Sequence, residues 1–259
     1  MSSKTDKRAK EILRLLLNHG KTSVEELTEL FATSPASVRR DLVRLEERGL
    51  VHRTHGGAML AGQAVYEPFR FDASFQVRED RFAQEKRRIA AAAAELVHEN
   101  ETVGFTAGTT TTQVARSLRH RTGLHIITNA VNIAAELSGS SLEVILTGGT
   151  LRKNSFSLVG PVADETLRRL NADILFLGVD GFDVEHGLTT PNLLEAKVNR
   201  TMMDVARVVV VVCDSSKFGR RALSSIAPLS AIHHLITDKD VRKSDLAALK
   251  KAGIQVTVV

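Results

Sequence analysis

"GFTAGTTTTQVARSL" (residues 104–118) sets five threonines and two glycines between an apolar run and the start of an amphipathic helix. A short apolar run that passes through small polar residues straight into a helix is the repeating unit of an α/β fold. Gly108 lets the backbone come close to another group. Thr109 and Thr110, with the free N–H groups of the helix start, offer hydroxyls and amides to an anion. A single Gly-Thr turn is more often only a tight turn, so its meaning depends on what surrounds it.

The unit recurs downstream. Strand "ETVGFTA" and helix "TTQVARSL" are followed by strand "LHIITN", a helix near "AVNIAAEL", strand "LEVILTGG" and a helix near "VADETLRRL". Strand "DILFLGVDG", helix "LEAKVNRTMMDVA", strands "RVVVVVCDSSK" and "HHLITD", helix "KSDLAALKKAG" and strand "IQVTVV" complete the series. This alternation predicts a mostly parallel, doubly wound sheet covered by helices on both faces. Ligands of such sheets bind beyond the carboxyl ends of the strands. The small polar clusters that follow strands therefore fall on one rim: "TAGTT" (106–110), "TNA" (128–130), "TGGT" (147–150), "VDGFD" (179–183) and "CDSSK" (213–217). The Gly108 loop has no G-x-G-x-x-G fingerprint and no Gly-Lys-Ser/Thr of a P-loop, which disfavours dinucleotides and nucleoside triphosphates there and leaves a phosphorylated small molecule.

Bulk properties narrow the class further. The 259 residues, 43% hydrophobic and 25% charged, are ordinary globular composition for one large domain or two of usual size. No apolar run reaches the roughly 18 to 20 residues of a bilayer span, and the polar start "MSSKTDKRAKE" is no signal peptide, so a soluble, cytoplasmic protein without a membrane partner is expected. The lone Cys213 permits neither an intramolecular disulfide nor a cysteine zinc cluster. The pairs His52/His55 and His233/His234 lack further ligands at suitable spacing, so neither metal nor cofactor is expected. The net charge of +5 is densest at the start: residues 1–60 hold 11 Lys and Arg against 8 Asp and Glu.

Those sixty residues carry three helical patterns. The first spans 6–18, with Ile12, Leu13, Leu16 and Leu17 on one face and Gly20 as a stop. The second is capped by Thr22 or Ser23 and buries Val24, Leu27, Leu30 and Phe31. The third opens on Ser34-Pro35, buries Val38, Leu42 and Leu45, and runs to about Gly49. Ser37, Arg40 and Arg44 then share a different face of it, with Arg39 and Arg48 at the flanks, a guanidinium row suited to a major groove. A solvated charged face is the plainer alternative. The very short turn before this helix and the strand-turn-strand "LVHRTHGGAML" after it favour a helix-turn-helix with a wing that carries His52, Arg53 and His55. Residues 58–78 show no sustained period and contain Gly62 and Pro68, as a connector would. The expected organisation is thus a DNA-binding domain over 1–57, a linker over 58–78 and an α/β domain over 79–259.

The stretch "SPASVRRDLVRLEERGLVHRTHGGAML" (34–60) closely resembles the winged helix-turn-helix signature of the DeoR family of bacterial sugar-catabolism regulators, and the upstream spacing of Arg8 and Ile12 fits it. The resemblance implies DNA contacts from Ser34, Ser37, Arg39, Arg40, Arg44, Arg53, His55 and Gly56, with Asp41 a structural anchor. It implies a repressor of a carbohydrate-catabolism operon, working on double-stranded operator DNA as a homo-oligomer, dimer or tetramer, because one winged helix reads few base pairs.

Residues 76–259 resemble the fold that the DeoR effector domain shares with ribose-5-phosphate isomerase. The shared features are the Thr/Ser-Gly loop, "DGFD" (180–183), Glu195-x-Lys197 in "HGLTTPNLLEAK", and Asp214-Ser-Ser-Lys217. This implies a site for a phosphorylated sugar or amino sugar, with a similarity to the amino-sugar (AgaR-like) branch. Its residues are Thr106, Gly108, Thr109, Thr110, Thr128, Asn129, Gly148, Gly149, Arg152, Asp180, Gly181, Thr189, Glu195, Lys197 and Lys217. An isomerase with an accessory DNA-binding domain is the alternative, with Glu195, Asp180 or Asp183 as its base. Against it, His186 stands where the isomerases carry lysine, and Thr106 where the family's loop often carries an acidic residue. No catalytic residue is expected.

Overall fold

The computed structural model describes residues 8–9, 11–13, 15–16, 21–47, 50–60 and 73–259. Leu17, Gly20, Arg48, Gly49, Gly62 and Pro68, which the sequence reading invoked, lie outside them. The chain divides into two compact units, Met1–Phe71 and Asp72–Val259. Among the described residues no helix is long and apolar enough to cross a membrane.

In the first unit, helical positions among residues 8–16 precede β1 (Lys21–Ser23), α1 (Val24–Leu30), α2 (Pro35–Glu47), β2 (Val51–Thr54) and β3 (Gly57–Leu60). Ser23 closes a capping box: the Glu26 N–H donates to its Oγ, and the Ser23 N–H donates to the Glu26 carboxylate. Ser34 Oγ accepts from the Ser37 N–H, and Pro35 fills the first helical position. The strands form an antiparallel sheet in the order β1-β3-β2, so the residues just before α1 join the wing. Ile12, Leu16, Val24, Leu27, Val38, Leu42, Leu45, Val51 and Ala58 make one core. Leu30 is 59% exposed rather than buried. It lies six residues after Val24, about 240° around the helix and off the stripe that Val24 and Leu27 define.

The second unit begins with α3 (Ala73–Asp80), inside the stretch without a period, and α4 (Ala83–Ala94). It continues as β4 (Thr102–Phe105), α5 (Thr109–Leu118), β5 (His125–Thr128), α6 (Val131–Leu137), β6 (Glu143–Leu146), the hairpin β7 (Thr150–Arg152) and β8 (Ser157–Val159), and α7 (Pro161–Leu167). Then come β9 (Ala172–Leu177), β10 (Gly181–Asp183), β11 (Gly187–Thr190), α8 (Leu193–Asp204), β12 (Ala206–Val212), β13 (Ser224–Ala227), β14 (His234–Thr237), α9 (Lys243–Lys251) and β15 (Gln255–Val258).

Seven strands form a parallel sheet in the order β15-β14-β12-β9-β4-β5-β6. Alternation along its central strands divides the core in two. Ile174, Phe176, Val210 and Val212 face Ile89, Ala93, Val114 and Leu118. Leu175, Leu177, Val209 and Val211 face Ala163, Leu167, Val198 and Met202. The chain winds from β4 toward β6, then crosses to β9 and winds toward β15, so the direction reverses between β4 and β9. A crevice opens at such a reversal beyond the strand ends. Two small sheets flank the main one, the hairpin β7-β8 and the antiparallel set β10-β11-β13.

Candidate functional site

On the first unit Arg39, Arg40 and Arg44 are exposed along α2, while the opposite face is buried. Arg40 donates from Nη2 to Ser37 Oγ at 3.3 Å, and Ser37 Oγ lies 3.0 Å from that of Ser34, so the predicted polar residues form one chain at the helix start. His52, Arg53, His55 and Gly56 are exposed on the wing, where the Arg53 N–H donates to Glu46 and fixes β2 against α2. Asp41 differs from its neighbours. It is 3% exposed and takes the Arg8 guanidinium, a tie from the first helical stretch to α2.

On the second unit, a cavity of about 700 Å³ sits at the β4/β9 reversal. Its volume suits a small metabolite. Gly108, Thr109 and Thr110 line it at the start of α5, and no side chain caps that helix. The N–H groups of the first turn are therefore available to an anion, aided by the helix dipole. Thr111 and Thr112 serve a different purpose: their hydroxyls donate to the Gly108 carbonyl at 2.9 and 2.7 Å, and Asn132 donates to Thr112. The other two positions of the threonine run thus build the loop that Thr109 and Thr110 present.

The wall carries six cations, Arg78, Arg81, Lys86, Arg152, Lys217 and Arg220, against the carboxylates Asp180, Glu195 and Asp214. That imbalance draws anions in. Glu195 is fully engaged. Ser155 and Ser157 donate to its Oε1, Thr190 lies 3.5 Å from Oε2, and Arg152 Nη1 meets Oε2 at 2.6 Å. Thr190 also donates to Asp180 at 2.9 Å.

Of the residues expected at the site, Gly108, Thr109, Thr110, Asn129, Arg152, Asp180, Glu195 and Lys217 come together in this wall. Thr106, Thr128, Gly148, Gly149, Gly181, Thr189 and Lys197 are not among its lining residues. Most of these hold the wall from behind. Thr106 Oγ1 accepts from the Gly178 N–H, joining the ends of β4 and β9, and Thr128 Oγ1 donates to the Phe105 carbonyl. Gly148 and Gly149 turn left-handed into the β7-β8 hairpin, which delivers Arg152, and a Cβ on Gly149 would lie 2.7 Å from the Val159 carbonyl. Gly181 passes close to Thr189 and Arg220, and Thr189 Oγ1 accepts from the Ala222 N–H. Lys197, two positions after Glu195 and so about 200° around α8, pairs instead with Asp164 at 2.8 Å.

His186 also stands outside the lining. Its ring bridges Asp183 and Arg221, at 3.0 and 2.9 Å. Burial disfavours the Asp183 charge, but hydrogen bonds from Arg221 and His186 outweigh it and hold the carboxyl well below the usual range.

Residues 8–64 match the model of the DeoR-like helix-turn-helix domain, and residues 81–239 match that of the DeoR C terminal sensor domain. The chain belongs to the DeoR family. It is a DNA-binding transcriptional regulator with a sensor domain. Among DeoR-related and other curated proteins it is 40% identical to the HTH-type transcriptional regulator GlpR of Haloferax volcanii, over 96% of each chain. It is 36% identical to a candidate aga operon transcriptional repressor of Escherichia coli O157:H7, over 98% of this chain and 94% of that one. Among solved structures, ribose 5-phosphate isomerase A of Methanocaldococcus jannaschii aligns with 53% of this chain and 55% of that chain at 17% identity and a TM-score of 0.41.

In this DeoR-family sensor domain several wall residues escaped the sequence reading: Phe75, Arg78, Arg81, Phe82 and Lys86 before the first strand, then Ser155, Ser157, Thr190 and Arg220. The alternating hydroxyls of "NSFSL" were the one available signal, since period 2 puts Ser155 and Ser157 on one side.

Proposed function

We propose that the cavity of the sensor domain binds a phosphorylated sugar or amino sugar, and that this ligand relieves repression of a carbohydrate-catabolism operon. The observation that carries the reading is the uncapped start of α5, with Gly108, Thr109 and Thr110 opening into a wall with twice as many cations as carboxylates. A phosphate seated there gains amide hydrogen bonds and a favourable dipole, while Asp180, Asn129 and the serine-threonine set offer acceptors and donors for sugar hydroxyls. The names of the aga operon and GlpR relatives support a repressor of carbon metabolism and leave the choice of sugar to experiment.

The reading is non-catalytic. Proton transfer between sugar carbons needs an unengaged carboxylate beside a cationic or polarising group. Glu195 gives its two oxygens to Arg152 and to Ser155 and Ser157, Asp180 accepts from Thr190, and His186 is held by Asp183 and Arg221 outside the lining. Ser34, Ser37, Arg39, Arg40 and Arg44 of α2 and the wing residues Arg53, His55 and Gly56 contact operator DNA, in a cytoplasmic homo-oligomer that doubles the half-site. The test is a thermal-shift screen of sugar phosphates, since a ligand of the native state raises its stability by RT ln(1 + [L]/Kd). It is paired with operator retention in the presence of each hit, and with Gly108→Ala as the control. A hit that stabilises the wild type, is weakened by Gly108→Ala and releases DNA supports the reading. Absence of any stabilising sugar phosphate overturns it.

A further inference from the structure

The two family matches end at residue 64 and resume at 81, so α3 (Ala73–Asp80) belongs to neither. It nevertheless supplies part of the cavity wall through Phe75 and Arg78, and the turn after it adds Arg81 and Phe82. The helix is held from several sides. Phe75 is buried and meets the Phe156 ring edge-on, with centroids 5.0 Å apart. Arg78 Nη2 donates to the Asn154 carbonyl at 2.6 Å, in the turn that joins β7 to β8. Glu79 pairs at 2.6 Å with Arg116, which lies on α5, the helix whose start forms the anion seat. Beneath the end of α3 the Lys86 ammonium, 3% exposed, donates to the carbonyls of Arg78 and Arg81, acceptors that a helix end leaves unpaired.

Two further features set this junction apart. Phe82 and Phe156 both adopt the left-handed backbone region, at φ 57° and 55°. Bulky residues rarely do so, and such conformations gather at ligand clamps and switches, where the surroundings enforce them. One phenylalanine follows α3, and the other lies in the hairpin against which α3 packs.

We infer that α3 transmits the state of the pocket to the rest of the chain. An anionic ligand at the start of α5 engages Arg78 and Arg81, and so fixes the helix whose N-terminal end continues in sequence toward the wing. The inference rests on the reading of the cavity as a sugar-phosphate site. A ligand shifts an equilibrium only through contacts that differ between two states. Arg152 ends β7 in the β7-β8 hairpin, Lys217 closes the short 3-10 turn after β12 and Arg220 follows it, all inside the sheet domain, whereas Arg78 and Arg81 sit on the segment that leads out of it. Occupancy is therefore felt there first.

The test is amide hydrogen exchange on the full-length chain with glucose 6-phosphate, glucosamine 6-phosphate and inorganic phosphate as probes, alongside Arg78→Gln, Arg81→Gln, Arg78→Lys and Glu79→Gln. A probe that raises the melting temperature slows exchange across residues 73–82. Each glutamine variant of the arginines weakens that probe about tenfold, as loss of a charge-assisted hydrogen bond should, and Arg78→Lys restores part of the loss. Glu79→Gln, outside the wall, keeps the probe's affinity near wild type and reduces its effect on operator binding. If a probe stabilises the wild type but leaves exchange across 73–82 unchanged, and both glutamine variants bind it normally, the role of α3 is refuted while the pocket stands. If no probe stabilises the wild type, the sugar-phosphate reading fails and the role of α3 fails with it.

Discussion

Arg152 and Glu195 form an ion pair of 2.6 Å in the wall of the sensor cavity, from two elements 43 positions apart in sequence. The second oxygen of Glu195 accepts from Ser155 and Ser157, so both oxygens of the carboxylate already hold strong donors. An isomerase base must keep one oxygen for the substrate proton. The wild-type protein is thus expected to show no interconversion of ribose 5-phosphate or hexose phosphates in a coupled assay. Glu195→Gln should lower unfolding free energy by about 1–3 kcal/mol, because it removes the charge that Arg152 answers. Thermal melts of the unliganded protein check the second expectation. Turnover in the wild type that vanishes in Glu195→Gln would return the chain to the enzymes.

The α2 face makes a separate prediction. Arg40 is exposed beside Ser37, and Arg39 is exposed at the flank. Arg40→Ala should cost about 1–3 kcal/mol of operator affinity with relaxed preference at one base pair, as for an arginine paired with guanine, and Arg39→Ala should flatten the salt dependence by about one unit of slope. Anisotropy titrations across a range of salt concentrations separate the two. Equal, sequence-independent losses for both variants would make Arg40 a phosphate contact only.

How much of this could be read beforehand differs by element. The capping box at Ser23, the Ser34-Pro35 start and the β-strand alternation around Leu175 and Val210 rest on neighbours in sequence, so local pattern suffices. The rim position of Gly108 followed from α/β topology. What stayed hidden depends on distant partners. Strands β7, β8 and β13 are three or four residues long and exist because of what they pair with. The partners of Glu195 lie 38 and 40 positions upstream. The helix at Ala73–Asp80 has one well-buried aromatic, Phe75, and too little apolar periodicity to announce itself.

Gly57 shows how tightly the wing is joined to its domain. A Cβ built there would stand 2.1 Å from the Thr22 carbonyl oxygen, in the backbone of β1, which pairs with β3 at that point. Backbone on both sides cannot yield as a flexible side chain could. Gly57→Ala should destabilise the DNA-binding unit by about 1–3 kcal/mol through overpacking and abolish operator binding before it affects ligand binding to the sensor domain. Denaturation followed separately through the two domains would show it. Unchanged stability would mean that β1 and β3 do not pair in solution.

Lys86 supplies a prediction in pH. Burial pulls its pKa down to about 8, the nearby Asp214 opposing that effect in part and Lys217 reinforcing it. The folded chain gives up this proton near pH 8, whereas the unfolded chain keeps it until about 10.5. Between those values the unfolded state binds more protons, so the contribution of Lys86 to stability rises with pH and is least favourable below 8. Lys86→Met removes the titration. Urea midpoints of the two proteins from pH 7 upward should therefore show a difference that holds steady below about 8 and then shifts in favour of the wild type toward about 10.5. A difference that stays constant across the whole range would show that Lys86 titrates as an ordinary lysine, and that the end of α3 is more open to water than its carbonyl contacts require.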